Sequence, residues 1–315
     1  MGAYIGKRVL SVIPIILFSS LLMFVMIRVG PVDPAEAYLA AAHIQPDDEV
    51  LAAKRHEFGL DQPLPVQYVQ SVAKLLRLDF GQSYISNMPV WEEVAQKLPA
   101  TIQLASSSIV LALVVSIPLG VLAAIYHNRM VDHVIRVFAY IGACVPVFWI
   151  GYLLMFFISV KLEWLPVEGR GSFRHLILPS ITLALWLIAI YARLLRTTVL
   201  EELKEAYVRY ARARGIKERV ILYKYVLRIA IAPLITGLGI NLGKLLTGAI
   251  IVEQVFSWPG FGRYFIEAVI NRDIPVIQCY VMLSVCVIVG SNLAADLLQL
   301  FLDPRIARKG RVSQG

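Results

Sequence analysis

Lys244 and Asp296 stand out among the residues able to do chemistry, because each interrupts a long apolar stretch with Asn241 and Asn292 close by in sequence. Ionisable groups in such surroundings are costly and mark function by default. Two readings are open: a structural pair that neutralises itself across a helix contact, or the lining of a polar path for a solute. The usual catalytic constellations are missing. His43, His56, His127, His133 and His175 are scattered, with no i, i+4 pair of the kind that grips a metal, so no metal ligands are expected in this chain. The string Gly239-Ile240-Asn241-Leu242-Gly243-Lys244 is one residue short of a phosphate-binding loop and continues with Leu245, not Ser or Thr. Its glycines fit a close helix contact better. With no nucleophile–base arrangement to assign, the chain reads as a non-enzyme with no catalytic residues.

The elements that must position these residues follow from composition. Of the 315 residues, 58% are hydrophobic and 17% are charged, against about 25% charge in a soluble domain. The excess apolar surface needs lipid. Six stretches are long enough to cross a bilayer as helices, at about 9–27, 101–126, 137–160, 176–192, 229–252 and 276–302. Short alternating segments of the β-barrel type are absent from the sequence. Pro14, Pro118 and Pro146 lie inside spans, where helix bundles tolerate them. The first stretch is longer than a signal core and lacks a cleavage site directly after it, so it reads as a retained anchor. The predicted fold is an all-α polytopic membrane protein with six transmembrane helices.

Charge sets the expected orientation. With the N-terminus in the cytoplasm, the inside segments carry +12, the outside segments −5 and the spans +1, which together give the net +8. That asymmetry follows the positive-inside rule and leaves no need for a nucleic-acid partner. Cys144, Cys279 and Cys286 all fall in spans and read as small packing residues.

Three polar pieces hang from these spans. Residues 31–100 are too long for a connector and include a helical pattern at Asp48–Phe58, with Val50, Leu51, Ala53 and Phe58 inward and Lys54 and Glu57 toward water. Residues 193–228 hold ten basic side chains. There Glu205 and Arg209 stand four apart as a helix-surface pair, Gly215 breaks the helix, and a second helix completes a knob. Such a knob exceeds what two spans need to reconnect and reads either as a docking element or as a solvated loop. Residues 253–275 open on the turn Trp258-Pro259-Gly260, with aromatics as at a membrane interface; Phe265, Ile266, Val269 and Ile270 then form one apolar helical face.

Several motifs together resemble a known family. Val32-Asp33-Pro34-Ala35 follows the first span, and Phe58-Gly59-Leu60-Asp61-Gln62-Pro63-Leu64 comes next with Gln67-Tyr68. Leu78-Asp79-Phe80-Gly81-Gln82-Ser83 and Leu98-Pro99-Ala100-Thr101 precede the second span. Near the C-terminus stand Glu253, Phe256, Trp258, Arg272-Asp273, Pro275, Asn292, Asp296 and Asp303-Pro304-Arg305. The chain is similar, nearly end to end, to permease subunits of the peptide/nickel branch of bacterial ABC importers. The run Val208-Arg209-Tyr210-Ala211-Arg212-Ala213-Arg214-Gly215 resembles that branch's form of the cytoplasmic coupling signature, with Arg209 where the general pattern has Glu.

The resemblance implies a type I ABC importer permease fold. It implies residues 1–30 as first membrane helix, 31–100 as a periplasmic segment, 101–302 as a five-helix core with coupling helices at 199–226, and 303–315 as a cytoplasmic tail. It assigns ATPase coupling to Glu205, Arg209, Tyr210, Ala211, Arg212 and Gly215. A periplasmic gate or binding-protein contact falls to Glu253, Trp258, Arg272 and Asp273. The implied partners are a second homologous permease subunit, two ABC ATPase subunits that bind the ATP, and a periplasmic substrate-binding protein; the chain itself needs no cofactor. Transport is expected by alternating access in the bacterial inner membrane. The phrases FGLDQPLPVQY, LLRLDFGQS and NRDIPVIQC resemble nickel-transporting members, so nickel or a nickel chelate is the expected solute, with di- or oligopeptides as the alternative. A secondary transporter, the rival class, needs no cytoplasmic knob.

Overall fold

The computed structural model describes residues 2–30, 33–45 and 47–302. Long apolar runs close their backbone hydrogen bonds within themselves as helices, and among the described residues the only extended pairing is the bridge between Gln82 and Pro89. The chain divides into two compact units, Met1–Thr101 with Pro259–Gly290 and Ile102–Trp258 with Ser291–Gly315. The predicted tail at 303–315, including Asp303-Pro304-Arg305, lies outside the described residues.

In the first unit, α1 (Gly2–Val29) continues through Pro14 and carries Leu10, Phe18, Leu22 and Met26 exposed along its length. Its Leu17, Ser20 and Phe24 meet the rest of the unit. Tyr68 of α4 (Leu64–Leu76) is 3.1 Å from the Leu17 carbonyl and 3.0 Å from Ser20 Oγ, and its ring meets Phe24 edge-on. Helix α2 (Pro34–Ala41) starts on Asp33, whose carboxylate accepts the Ala35 N–H at 2.8 Å, with Pro34 preset for the first turn. Asp33 also accepts Arg55 of α3 (Asp48–Glu57) at 2.7 Å. The predicted helix at Asp48–Phe58 therefore forms, but none of its residues is buried. Lys54, expected to face water, lies 4.4 Å over the Tyr38 ring while it pairs with Glu57, because an ammonium gains from the negative face of an aromatic ring. Later in the unit, α13 (Phe261–Ile270) stacks Phe265 on Tyr280 at 4.0 Å, whereas Val269 and Ile270 stay exposed.

The second unit is built around α8 (Phe173–Glu202), whose Leu178, Leu187, Tyr191, Leu195 and Val199 are fully buried. Against it pack α6 (Met130–Cys144), α7 (Val147–Leu154, continuing in wider π-type turns to Lys161) and α12 (Ala232–Val255). The predicted third span at 137–160 is not one helix. It bends by 107° between α6 and α7. Pro146 explains the break: its ring excludes Val145 from the helical region, and Val145 takes φ −78°, ψ 131°. Pro118, by contrast, stays within α5 (Val90–Ile125), which runs unbroken for 36 residues. The knob's second arm also departs from expectation. Glu218 opens a 29-residue span to Leu246, through α10 (Glu218–Val220) and α11 (Leu227–Ala230) into α12, so this arm is the start of the fifth membrane helix, whose apolar part alone was expected at 229–252.

Among the described residues, five helices are long and apolar enough to cross a membrane, or six if the bent pair counts as one. Close approach inside the second unit depends on small residues. A Cβ at Gly120 would meet the Ala192 carbonyl at 2.9 Å and Leu195 Cβ at 2.8 Å. Gly120→Val is therefore expected to cost about 1–3 kcal/mol through overpacking, read as a lower midpoint in thermal denaturation of the detergent-purified protein; an unchanged midpoint would contradict the packing described.

Candidate functional site

The basic segment between α8 and α12 folds into a closed knob. After Glu202 the chain turns through Leu203, Lys204 and Glu205 into α9 (Ala206–Ala213). Val208 and Ala211 are buried, as are Ile221 and Val226 farther on, so the knob has its own apolar underside. Its outer side presents Arg209, Arg212 and an exposed Tyr210. Gly215 takes φ +73°, with open space where a Cβ would point. Glycine is favoured there for its backbone, not for room. Across that turn Arg212 forms a two-pronged pair with Glu218, at 2.6 and 3.2 Å, which staples α9 to the next membrane helix. At the knob's root Tyr207 donates to Glu202 at 2.8 Å, and burial together with that carboxylate pushes its phenol pKa up. The anticipated Glu205–Arg209 side-chain pair does not form among the described residues. Glu205 is the N-cap residue, outside the helix, and its backbone carbonyl takes the Arg209 N–H.

Above the knob lies a cluster that sequence reasoning missed. Asp132, fully buried in the first turn of α6, accepts Arg196 of α8 at 2.6 and 2.8 Å and the Asn128 N–H at 3.0 Å. His127 Nδ1 is 3.0 Å from Arg196 Nη2, and Arg136 stands 3.6 Å from the same carboxylate. The turn at 127–129 and the first turns of α6 are thus clamped to the helix that feeds the knob.

The intramembrane polar residues separate. Asn241 donates to the Tyr191 hydroxyl at 3.1 Å in a buried contact. Lys244 is exposed in the isolated chain, with its ammonium 5.7 Å over the Trp186 ring. Lys244 and Trp186, but not Asn241, line a cavity of about 190 Å³ beside the break between α6 and α7. Lys244 and Asp296 form no ion pair among the described residues. Asp296 lies beside Ala295 on α14 (Ile274–Leu302), where a Cβ at Gly239 would collide with Ala295, and Asn292 is exposed one turn earlier.

The four outer candidates fall in different units. Glu253 and Trp258, in the second, are buried, and the Arg170 guanidinium lies 5.7 Å over Trp258. Trp258 is thus a core residue, not the membrane-interface aromatic expected; the turn itself is as predicted. In the first unit Asp273 is buried and accepts Ser83 Oγ at 2.5 Å, while Arg272 is exposed at φ +58°. No group of three or more metal-ligating side chains occurs among the described residues.

Residues 116–308 match the family described as binding-protein-dependent transport system inner membrane component, and residues 1–105 match its N-terminal counterpart. This chain belongs to that family. It is a multi-pass inner-membrane permease of the ABC importer class. The permease is 39% identical over 306 residues to the glutathione transport system permease protein GsiC of Salmonella choleraesuis (strain SC-B67), covering 97% of this chain and 99% of that one. It is 37% identical to a probable peptide ABC transporter permease, y4tP, of Sinorhizobium fredii (strain NBRC 101917 / NGR234), over 97% and 99% of the two chains. Its fold is similar to a chain of the inward-facing MetNI methionine ABC transporter, with TM-score 0.57 and 18% identity over 67% of the permease and 96% of that chain.

The Asp132 clamp makes a direct prediction. Asp132→Asn leaves the Arg196 charge without its partner, at a cost of about 2–3 kcal/mol. Detergent-purified protein should melt earlier by the corresponding amount, and Asp132→Glu should recover part of the loss. An Asn variant as stable as the wild type would show the clamp to be idle.

Proposed function

We propose that this permease carries short peptides, glutathione-like tripeptides or dipeptides, across the inner membrane. It works as one of two permease subunits with two ATPases and a periplasmic binding protein. The observation that carries the substrate class is the near full-length similarity to permeases named for glutathione and for peptides. The nickel expectation rested on short phrases and finds no support among these relatives. The absence of a metal-ligating cluster among the described residues does not bear on it, because a chelated metal needs no cage.

In this reading the knob at 202–226 is the ATPase contact. Tyr210, Arg209 and Arg212 form its outward face, Ala211 its underside, Glu205 its start and Gly215 its turn. The Arg212–Glu218 staple lets the knob move as a unit with the membrane helix that begins at Glu218, which alternating access requires. The charge asymmetry supports a cytoplasmic position for the knob and both termini, with 31–100 and 253–275 on the binding-protein side, where Glu253, Trp258, Arg272 and Asp273 are assigned to the outer gate. ATP is bound and hydrolysed by the partner subunits.

Lys244, Asn241, Asn292 and Asp296 line or support the path. An ammonium exposed midway along an apolar helix cannot face lipid cheaply, so the Lys244 face is covered by the second permease or by the aqueous route.

Uptake of labelled glutathione, dipeptide and nickel by a strain lacking its own importers for them tests the substrate class. Peptide uptake dependent on this permease and its partners is expected, and nickel uptake without peptide uptake would reverse the assignment. Within an active importer, Lys244→Gln should lower peptide uptake about tenfold at normal protein level while Lys244→Arg retains most of it. Equal uptake by both would remove Lys244 from the path.

A further inference from the structure

The first unit holds a second feature that the permease reading does not absorb. Between the end of α1 and the segment 34–84 lies a cavity of about 330 Å³, within the size range of small-ligand pockets. One wall is an aromatic box: Tyr38 meets Phe58 and Tyr84 edge-on at 5.6 and 5.4 Å, and Phe58 stacks on Tyr84 at 5.9 Å. Arg28 enters the cavity from the last turn of α1.

Arg28 lacks what a half-buried guanidinium requires. Its Nε is buried without a hydrogen-bond partner, and the side chain forms no ion pair among the described residues; the Phe24 ring lies at 5.3 Å, and Asp33 and Tyr84 act on the guanidinium only from beyond ion-pair distance. The nearby carboxylates are spent elsewhere. Asp33 holds Arg55 and the Ala35 N–H, Glu57 holds Lys54, and Asp79 holds the Gly81 N–H. A desolvated cation of this kind costs free energy until an anion arrives. Guanidinium is suited above all to a two-oxygen acceptor such as a carboxylate.

We propose that this cavity is a binding site for the carboxylate end of a short peptide. Arg28 takes the carboxylate oxygens, and the Tyr38–Phe58–Tyr84 box takes the adjoining apolar part of the peptide. The peptide identity of the ligand rests on the function proposed above, whereas the anion requirement rests on Arg28 alone.

The test uses the assembled importer in nanodiscs and a dipeptide with a photoreactive C-terminal side chain. Cross-links should map to the 34–84 segment. Unlabelled dipeptide should displace the probe at least tenfold more effectively than its C-terminal amide, because the amide removes one charge-assisted contact. Arg28→Gln, assembled at wild-type level, should lose the label, and Arg28→Lys should keep part of it. If Arg28→Gln fails to assemble, the amide comparison on the wild-type complex decides alone. Equal competition by acid and amide, or full labelling of Arg28→Gln, would overturn the proposal. So would native mass spectrometry showing a phospholipid held by the wild type and lost in Arg28→Gln, since the anion would then come from the bilayer. A wild-type importer that moves no peptide, yet has its cavity occupied by a carboxylate compound in an Arg28-dependent way, would overturn the proposed substrate and leave the anion site standing.

Discussion

Hydrocarbon offers no partner to a backbone N–H or C=O, and this constraint shapes the whole permease. Every stretch that crosses lipid must satisfy its amides internally, so the membrane part is helical and each departure from helix needs a local cause. Pro146 is the cause of the largest departure. The wider turns at Met155–Lys161 and Ile221–Val226 keep the ladder closed with a different spacing. Polar side chains obey the same constraint: Ser108 and Thr182 return their hydroxyls to carbonyls one turn back, and Asn241 finds Tyr191. Lys244 and Arg28, which have rings for neighbours where carboxylates are expected, are the residues whose chemistry is left open, and both belong to cavities.

In the proposed reading, coupling to the cytoplasmic partners rests on few contacts. The knob has too little apolar surface to fold far from the membrane helices. Its Val208 and Ala211 are covered by packing with the segment that follows, and the Arg212–Glu218 pair closes the outer edge. Exposed ion pairs of this kind contribute little to stability. Here the pair's effect is geometric, since it bridges the one glycine at which the segment could otherwise swing. The Asp132–Arg196 clamp does the same one layer inward, with stronger and less accessible bonds.

Much of this was legible from the residues. Hydropathy alone gives the helices, the Gly215 turn follows from a glycine ending a charged helix, and α3 was readable to within one residue. The break at Pro146 had its signal in the restriction a proline places on the residue before it, but that signal does not say which proline ends a helix, since α1 and α5 run on through Pro14 and Pro118. The Asp132 clamp joins residues 64 apart in sequence, and nothing in local pattern pairs one lone aspartate with one of many arginines. Burial of Trp258 and the turn of Lys54 onto Tyr38 are likewise tertiary outcomes. Solute identity was not legible for a different reason: wording shared by two branches of a family reports ancestry, whereas selectivity resides in a few contacts with no periodicity.

The elbow at Val145 and Pro146 also settles a question of length. Residues 130–161 as one straight helix would extend about 48 Å, against a hydrocarbon layer of about 30 Å. The 107° bend turns the two arms off a common axis, so the same 32 residues need not extend that far along the bilayer normal. A single imino acid thus relieves a hydrophobic mismatch that would otherwise fall on the surrounding lipid.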